Sequence, residues 1–322
     1  MIYSKIAGTG RYLPAHIMTN ADLEKIVDTT DEWIRTRTGV ERRHVAAEDQ
    51  TTSDLCVEAA VIAMEDAGVT ADDIDLIVVG TTSPDLIFPN IATLVQHRLG
   101  IHGCPAFSIE AACTGFLYAL TTTDKFIRAG ETKCALVIGA EIITKLVDWT
   151  DRATCVLFGD GAGAVIVKPS EEAGIMSCHL GADGQYKELL YYPVGASKDL
   201  HKAGVGDSRI LMKGNEVFKV AVRTLGKVAQ EALDANGIDK DDLDWLIPHQ
   251  ANLRIIQATA KRLGMPMEKV IVTVQDHGNT SAASVPMALD VGVRDGRIQR
   301  GHLILLEAFG GGFTWGSVLM RY

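Results

Sequence analysis

The chain has 322 residues, 47% of them apolar and 22% charged, which is the profile of a globular protein of about two domains or one large duplicated unit. That composition excludes wholesale disorder, a collagen-like repeat and a coiled-coil rod. The formal net charge of −10 excludes a broad basic face for nucleic acid or an anionic membrane, so an acidic partner needs a local basic patch.

The N-terminus, Met1-Ile-Tyr-Ser-Lys-Ile-Ala-Gly8, lacks a signal-peptide pattern. No apolar run approaches the roughly 20 residues of a membrane span, so a cytoplasmic protein without a membrane segment is expected. In chain order, residues 53–67 read as a helix, with Leu55, Ala59, Ile62 and Ala63 on one face. Residues 74–80 read as a buried strand and 106–110 as a strand-like run. Residues 115–129 read as a helix, and 135–139 and 164–167 as strands. Helices follow at 225–235 and 253–263, and strands at 246–247 and 303–306. This alternation predicts an α/β fold.

The pattern repeats. Ala63-Met-Glu-Asp-Ala-Gly-Val69 resembles Ala232-Leu-Asp-Ala-Asn-Gly-Ile238, and the acidic turn and strand from Asp72 resemble those from Asp241. Both pairs are 169 positions apart (63 to 232, 72 to 241). Each copy reads as helix, glycine C-cap, turn and buried strand. A duplication is expected, with an N-terminal half over 1–172 and a C-terminal half over 173–322.

Six cysteines are dispersed with no CxxC pair, which argues for reduced thiols and against a zinc knuckle or disulfide framework. No acidic-plus-His set has metal spacing, so no metal is expected. Cys113 stands apart from the other five. It follows a strand-like run and opens a helix, where backbone N–H groups and the macrodipole favour an anion; a lowered thiol pKa is the expectation. Cys134 and Cys155, inside apolar runs, read as inert core thiols. His249 follows the strand at 246–247, at an edge where open α/β sheets bind ligands; His277, in a glycine-containing turn, is the second choice. Asn279, in a run of small residues to Ser284, can bring a carboxamide to a ligand. The plain reading of that run is a turn capped by Thr280 or Ser281 before a helix. Gly310-Gly311-Gly312 offers unobstructed N–H groups suited to an oxyanion hole. Gly159-Asp-Gly-Ala-Gly163 looks like a dinucleotide loop, but a strand pattern follows it where a helix would be needed.

Ala111-Ala112-Cys113-Thr114-Gly115-Phe116, Pro248-His249-Gln250-Ala251-Asn252, the run Gly278–Ser284 and Glu307-Ala308-Phe309-Gly310-Gly311-Gly312-Phe313-Thr314-Trp315-Gly316 together resemble the thiolase superfamily. Specifically, they resemble its β-ketoacyl-acyl carrier protein synthase III family, and the resemblance runs the length of the chain. It implies a duplicated α-β-α-β-α five-layered fold and an enzyme that starts type II fatty-acid synthesis. In that reaction a short acyl-CoA, acetyl-CoA by default, condenses with malonyl-acyl carrier protein to give a 3-ketoacyl-acyl carrier protein, CoA and CO₂. The nucleophile falls on Cys113, the enolate-stabilising pair on His249 and Asn279, and the oxyanion hole on the N–H groups of Cys113 and Gly311. Trp33, Arg37, Arg152, Asn252 and Phe309 fall on positions that bind CoA or pantetheine. Phe88 falls on one that closes the acyl pocket of a partner subunit, which implies a homodimer. Lys219, Arg254, Lys261 and Arg262 fall on the patch that docks the carrier protein. CoA thioester is a substrate, and no cofactor is implied. Thr114 stands where the family often has Ala or Ser, which bears on the shape of the acyl pocket.

Other readings use the same residues. A biosynthetic thiolase would need a second cysteine near the C-terminal glycine run, and none follows Cys178. A quinolone or polyketide condensing enzyme would share Cys113, His249 and Asn279. A cysteine hydrolase would discharge the acyl group to water, and a carrier-binding scaffold would not react at all.

Overall fold

Runs rich in Val, Ile and Leu, with helices that can cover their faces, build two main sheets in the computed structural model, which describes residues 2–202 and 209–322. In chain order, β1 is Tyr3–Tyr12, β2 His16–Thr19, α1 Asn20–Leu23, α2 Asp31–Thr38, β3 Arg42–Val45, α3 Thr52–Ala67 and β4 Leu76–Gly80. Then follow α4 Ile91–Arg98, β5 Ala106–Ile109, α5 Gly115–Arg128, β6 Ala135–Glu141, β7 Gly161–Ser170 and β8 Ile175–Ala182. The chain continues with β9 Leu190–Tyr191, β10 Leu211–Met212, α6 Gly214–Asn236, β11 Trp245–Pro248 and α7 Leu253–Leu263. It ends with α8 Val274–His277, α9 Ser284–Arg294, β12 Leu303–Gly310 and β13 Thr314–Arg321.

The first sheet has the order β1-β7-β6-β4-β5 and the second β11-β12-β13-β8. The same pattern of directions runs through both: β4 is parallel to β6 as β11 is to β12, β4 is also parallel to its outer neighbour β5, and the remaining pairs are antiparallel. The sequence echo is therefore structural. Leu76 opens β4 and Trp245 opens β11; Gly115 opens α5 and Ser284 opens α9. Gly68 and Gly237, at φ 62° and 61°, end α3 and α6 in the left-handed region that favours glycine. β5 has a reduced counterpart, a single parallel bridge between Leu246 and Val270.

Helices α5 and α9 pack between the two sheets, α3 and α4 cover the outer face of the first, and α6 and α7 cover the outer face of the second. That is the five-layered α-β-α-β-α arrangement. The central layer buries Phe116, Leu117 and Leu120 of α5 with Val285 and Leu289 of α9. Several elements escape the apolar-run criterion. β8 and β13 carry Ser, Gly, His and Thr among their apolar residues. α4 and α9 follow Asn- and Ser-rich turns, and the helix expected at 225–235 is only the second half of α6.

Candidate active site

β5 ends at Ile109 and leads into a 3₁₀ turn, Ala112–Thr114, which places Cys113 directly before α5. Ala112 lies at φ 46°, a left-handed conformation that strains a non-glycine residue. The second half makes the same construction: a 3₁₀ turn, Ser281–Ala283, leads into α9, and Ser281 lies at φ 49°. The turns face each other, and the glycine run closes in on them. A Cβ on Gly310 would lie 2.7 Å from the Cys113 nitrogen, so only glycine lets the end of β12 approach so closely.

Cys113, His249 and Asn279 line one cavity of about 820 Å³, together with Phe309 and Gly311. That volume suits a small-molecule site. All three polar residues are buried. The His249 backbone N–H donates to Glu307 O at 2.8 Å, which fastens the residue to the end of β12. Its Nδ1 lies 2.6 Å from Ser284 Oγ, the first residue of α9. Asn279 is held from both sides: its N–H donates to Leu157 O at 2.8 Å and its carbonyl accepts from Gly159 N at 3.1 Å. Its Oδ1 accepts from the Ser281 N–H at 2.9 Å, so its amide NH₂ remains as the donor end. Neither Thr280 nor Ser281 caps the following turn through its side chain; the Asn279 carboxamide does so, because its oxygen reaches the N–H two residues on.

The thiol corrects one expectation. Cys113 is not acidified: burial pushes its thiol up to about 12, against the lowering effect of the Ser281 hydroxyl. The sequence shows the helix start, but it does not show how fully the turn is enclosed, and desolvation of the thiolate outweighs the local dipole. Burial also lowers His249 to about 3, so its imidazole is neutral. At rest the cavity is thus lined by a thiol and a neutral imidazole. Cys134, Cys155 and Cys178 are also pushed up to about 11 by burial, and all six cysteines are free. His277 does not line the cavity; it packs beside His44, with ring centroids 6.5 Å apart.

Trp33, Arg37, Asn252 and Arg254 also line the cavity. Arg152 is not a lining residue, but its guanidinium carbon lies 4.8 Å from the Trp33 ring centroid, and that of Arg37 lies 5.8 Å away. Asn252 caps α7, its Oδ1 accepting from Arg254 N at 2.8 Å, and its Nδ2 donates to Arg37 O at 3.1 Å. Lys219, Arg254, Lys261 and Arg262 are all exposed on the packed pair α6 and α7. Lys261 and Arg262 sit about 11 Å along α7 from Arg254, at 1.5 Å per residue. Phe88 is 83% exposed and does not line this chain's cavity. Among the described residues no group of His, Cys, Asp and Glu side chains could hold a metal ion. Ser284, which meets His249 Nδ1, and Glu141, which accepts from Ser281 Oγ at 3.3 Å behind the cavity, were not singled out from the sequence. Ser284 was visible only as the end of a run of small residues; for Glu141, at the end of a strand, no sequence signal pointed to the site.

Comparison with known proteins is consistent across the chain. The family model described as 3-oxoacyl-[acyl-carrier-protein] synthase III matches residues 107–184, and its C-terminal companion matches 233–322. A β-ketoacyl-[acyl-carrier-protein] synthase III of Xanthomonas campestris pv. campestris is 66% identical over 321 residues, covering 100% of this chain and 99% of that one. The crystal structure of a 3-oxoacyl-[acyl-carrier-protein] synthase III from Aquifex aeolicus superposes with a TM-score of 0.93 at 48% identity, covering 99% and 100% of the two chains. The priming β-ketosynthase of a polyketide biosynthetic pathway superposes with a TM-score of 0.94 at 37% identity, covering 99% and 96%.

Proposed function

The chain belongs to the β-ketoacyl-acyl carrier protein synthase III family and catalyses the condensation that initiates fatty-acid synthesis, and we propose that Cys113, His249 and Asn279 carry it out. One observation carries the assignment of residues. Three polar side chains from separate segments, buried in two different halves of the fold, converge on one cavity.

Cys113 attacks the thioester carbon of a short acyl-CoA, acetyl-CoA in the simplest case. The S–CoA bond breaks, and the thiol proton leaves with CoA. Malonyl-acyl carrier protein then enters, and its free carboxylate departs as CO₂. The electron pair passes into the thioester enolate, whose oxygen receives hydrogen bonds from His249 and Asn279. A hydroxyl donating to Nδ1 from Ser284 leaves the His249 proton on Nε2, facing the cavity. The carbanion attacks the acyl carbonyl, whose oxygen is held by the N–H groups of Cys113 and Gly311. The Cys113 sulfur leaves as thiolate and takes up a proton from water, replacing the one that left with CoA. No strong base is needed because decarboxylation generates the carbanion, which agrees with an imidazole that burial keeps neutral. The reaction so written calls on no cofactor.

Trp33, flanked by Arg37 and Arg152, clamps the CoA nucleotide by stacking and phosphate pairing. Asn252 and Phe309 line the pantetheine path. Lys219, Arg254, Lys261 and Arg262 receive the acidic carrier protein. Leu86, Ile87 and Phe88 form an exposed apolar run that fits a homodimer in which Phe88 closes the partner's acyl pocket. The halves divide at 172/173, between β7 and β8. The free thiols favour a reducing cytoplasm, and among the described residues no helix is long and apolar enough to cross a membrane. A fatty-acid role is favoured over a polyketide one by 66% identity to the Xanthomonas enzyme against 37% to the polyketide one.

The test is product formation from acetyl-CoA and malonyl-acyl carrier protein by wild type and Cys113→Ala. The reading expects a 3-ketoacyl-acyl carrier protein from wild type alone. Equal product from the folded variant would remove Cys113 from the reaction.

A further inference from the structure

Glu141, the last residue of β6, has a wholly buried carboxylate at which five donors converge. Thr81 Oγ1 donates at 3.2 Å, Thr82 N and Oγ1 at 3.0 Å each, and Ser83 Oγ at 2.5 Å. These four come from the loop after β4. The fifth is Ser281 Oγ, at 3.3 Å, from the other half of the chain. So dense a ring of donors is what a buried carboxylate needs if it is to hold a charge.

The Ser281 hydroxyl has a second neighbour: the turns carrying Ser281 and Cys113 pack together, both residues line the cavity, and the hydroxyl offsets part of the upward push of burial on the thiol. A hydroxyl has one proton, so it can donate to the carboxylate or to the sulfur at any moment. Ser281 cannot swing away, since its backbone is pinned by Asn279 Oδ1. β6 cannot recede either: a Cβ on Gly139 would lie 2.3 Å from Ala282 O, so the turn rests on the strand itself.

We propose that Glu141 is a positioning residue for Cys113, competing with the sulfur for the one proton of the Ser281 hydroxyl. While Ser281 donates to Glu141, its lone pairs face the thiol and favour S–H. When the sulfur loses its proton, Ser281 turns to it. The negative charge of Glu141 acts in the same direction and disfavours the thiolate. Burial raises Glu141 itself to about 7, which makes its charge adjustable near neutrality. The other titratable groups nearby are the neutral His249, Glu110, whose Oε1 accepts from Ala112 N, and Asp85, Arg98 and Asp54, which share the surroundings of Cys56 with Glu141. None of these reaches Ser281.

The inference rests on Cys113 being the nucleophile, but its test reads the sulfur directly and needs no turnover. The rate of iodoacetamide alkylation at Cys113, mapped by peptide mass spectrometry, is measured from about pH 6 to about pH 9 in wild type, E141Q, S281A and the double variant. Substituting Glu141→Gln removes the charge and leaves a weaker acceptor to compete for the hydroxyl proton, so alkylation at a given pH accelerates by about threefold to tenfold. Ser281→Ala removes the donor and slows it. The effect of E141Q is smaller on the S281A background, as coupled residues require. A folded E141Q alkylated no faster than wild type, or an equal E141Q effect on both backgrounds, would overturn the proposal. If E141Q does not fold, S281A against wild type decides: slower alkylation supports the coupling, and an unchanged rate overturns it.

Discussion

Ser284 Oγ and His249 Nδ1 lie 2.6 Å apart, and this contact leaves Nε2 as the imidazole nitrogen free for the cavity that His249 lines. Ser284 opens α9 and sits 169 positions after Gly115, which opens α5 behind Cys113. In the proposed reaction the two halves thus supply a nucleophile and an orienting hydroxyl from two equivalent helix starts, two positions apart in register. Ser284→Ala should leave transfer of the acyl group to Cys113 intact and slow its condensation about tenfold. That is a fraction of the roughly 10²–10³ that loss of a direct donor costs. Rapid-quench measurement of the two half-reactions separates them; slowing of both equally would speak against an orienting role.

The two half-reactions should respond differently to pH. Cys113 is a thiol at neutrality because burial holds it up to about 12. Acylation by acetyl-CoA therefore accelerates as pH rises from about 6 to about 9. Condensation needs neutral His249, which burial lowers to about 3, so that step stays flat down to about pH 5. Single-turnover rates with preformed acyl-enzyme check both slopes. Condensation that collapses below about pH 6.5, the ordinary range of an imidazole, would contradict the buried neutral histidine.

Glu307 lies wholly buried on β12, and neither carboxylate oxygen has a hydrogen-bond partner. Burial raises its carboxyl to about 8. The unfolded chain ionises at about 4.5, so between about 4.5 and 8 the folded state binds more protons, and stability falls as pH rises. Glu307→Gln removes this slope. The variant should match wild type in thermal unfolding near pH 4.5 and exceed it by a few degrees near pH 8. A difference that is the same at both pH values would assign the effect to packing.

The basic face of α6 and α7 and the Trp33 clamp should separate the two substrates. Lys219→Glu raises KM for malonyl-acyl carrier protein about tenfold, and added salt narrows the gap by weakening wild type. KM for acetyl-CoA stays within about twofold, as expected of an exposed charge on α6 that does not line the cavity. Trp33→Ala does the reverse, because it removes the ring between Arg37 and Arg152. Steady-state kinetics with each substrate varied in turn would show the crossed pattern; both variants affecting both substrates alike would contradict it.

Cys113 and His249 were legible because each sits at a strand's end in a segment with a sharp local signature, and the repeat announced the duplicated architecture. Asn279 was legible as a residue, while its capping of its own turn was not. What stayed hidden depends on contacts between the halves. Glu141 reads as the polar end of an apolar strand until the turn at 281–283 is laid across β6. Ser284 reads as one more small residue until His249 is brought to it. The direction of the Cys113 shift was misjudged for the same reason, since enclosure of a turn by distant strands leaves no mark in its own sequence.

In the proposed reaction Cys113 stores the acyl group, and His249 and Asn279 act only when the malonyl donor arrives. Intact-protein mass spectrometry of wild type and Asn279→Ala tests it, with acetyl-CoA added first and malonyl-acyl carrier protein second. Both proteins should gain one acetyl group on Cys113; wild type should lose it to the malonyl donor at once, and the variant should retain it about 10²–10³ times longer. An adduct that water alone discharges as fast as the malonyl donor does, or that the variant discharges at the wild-type rate, would contradict the account.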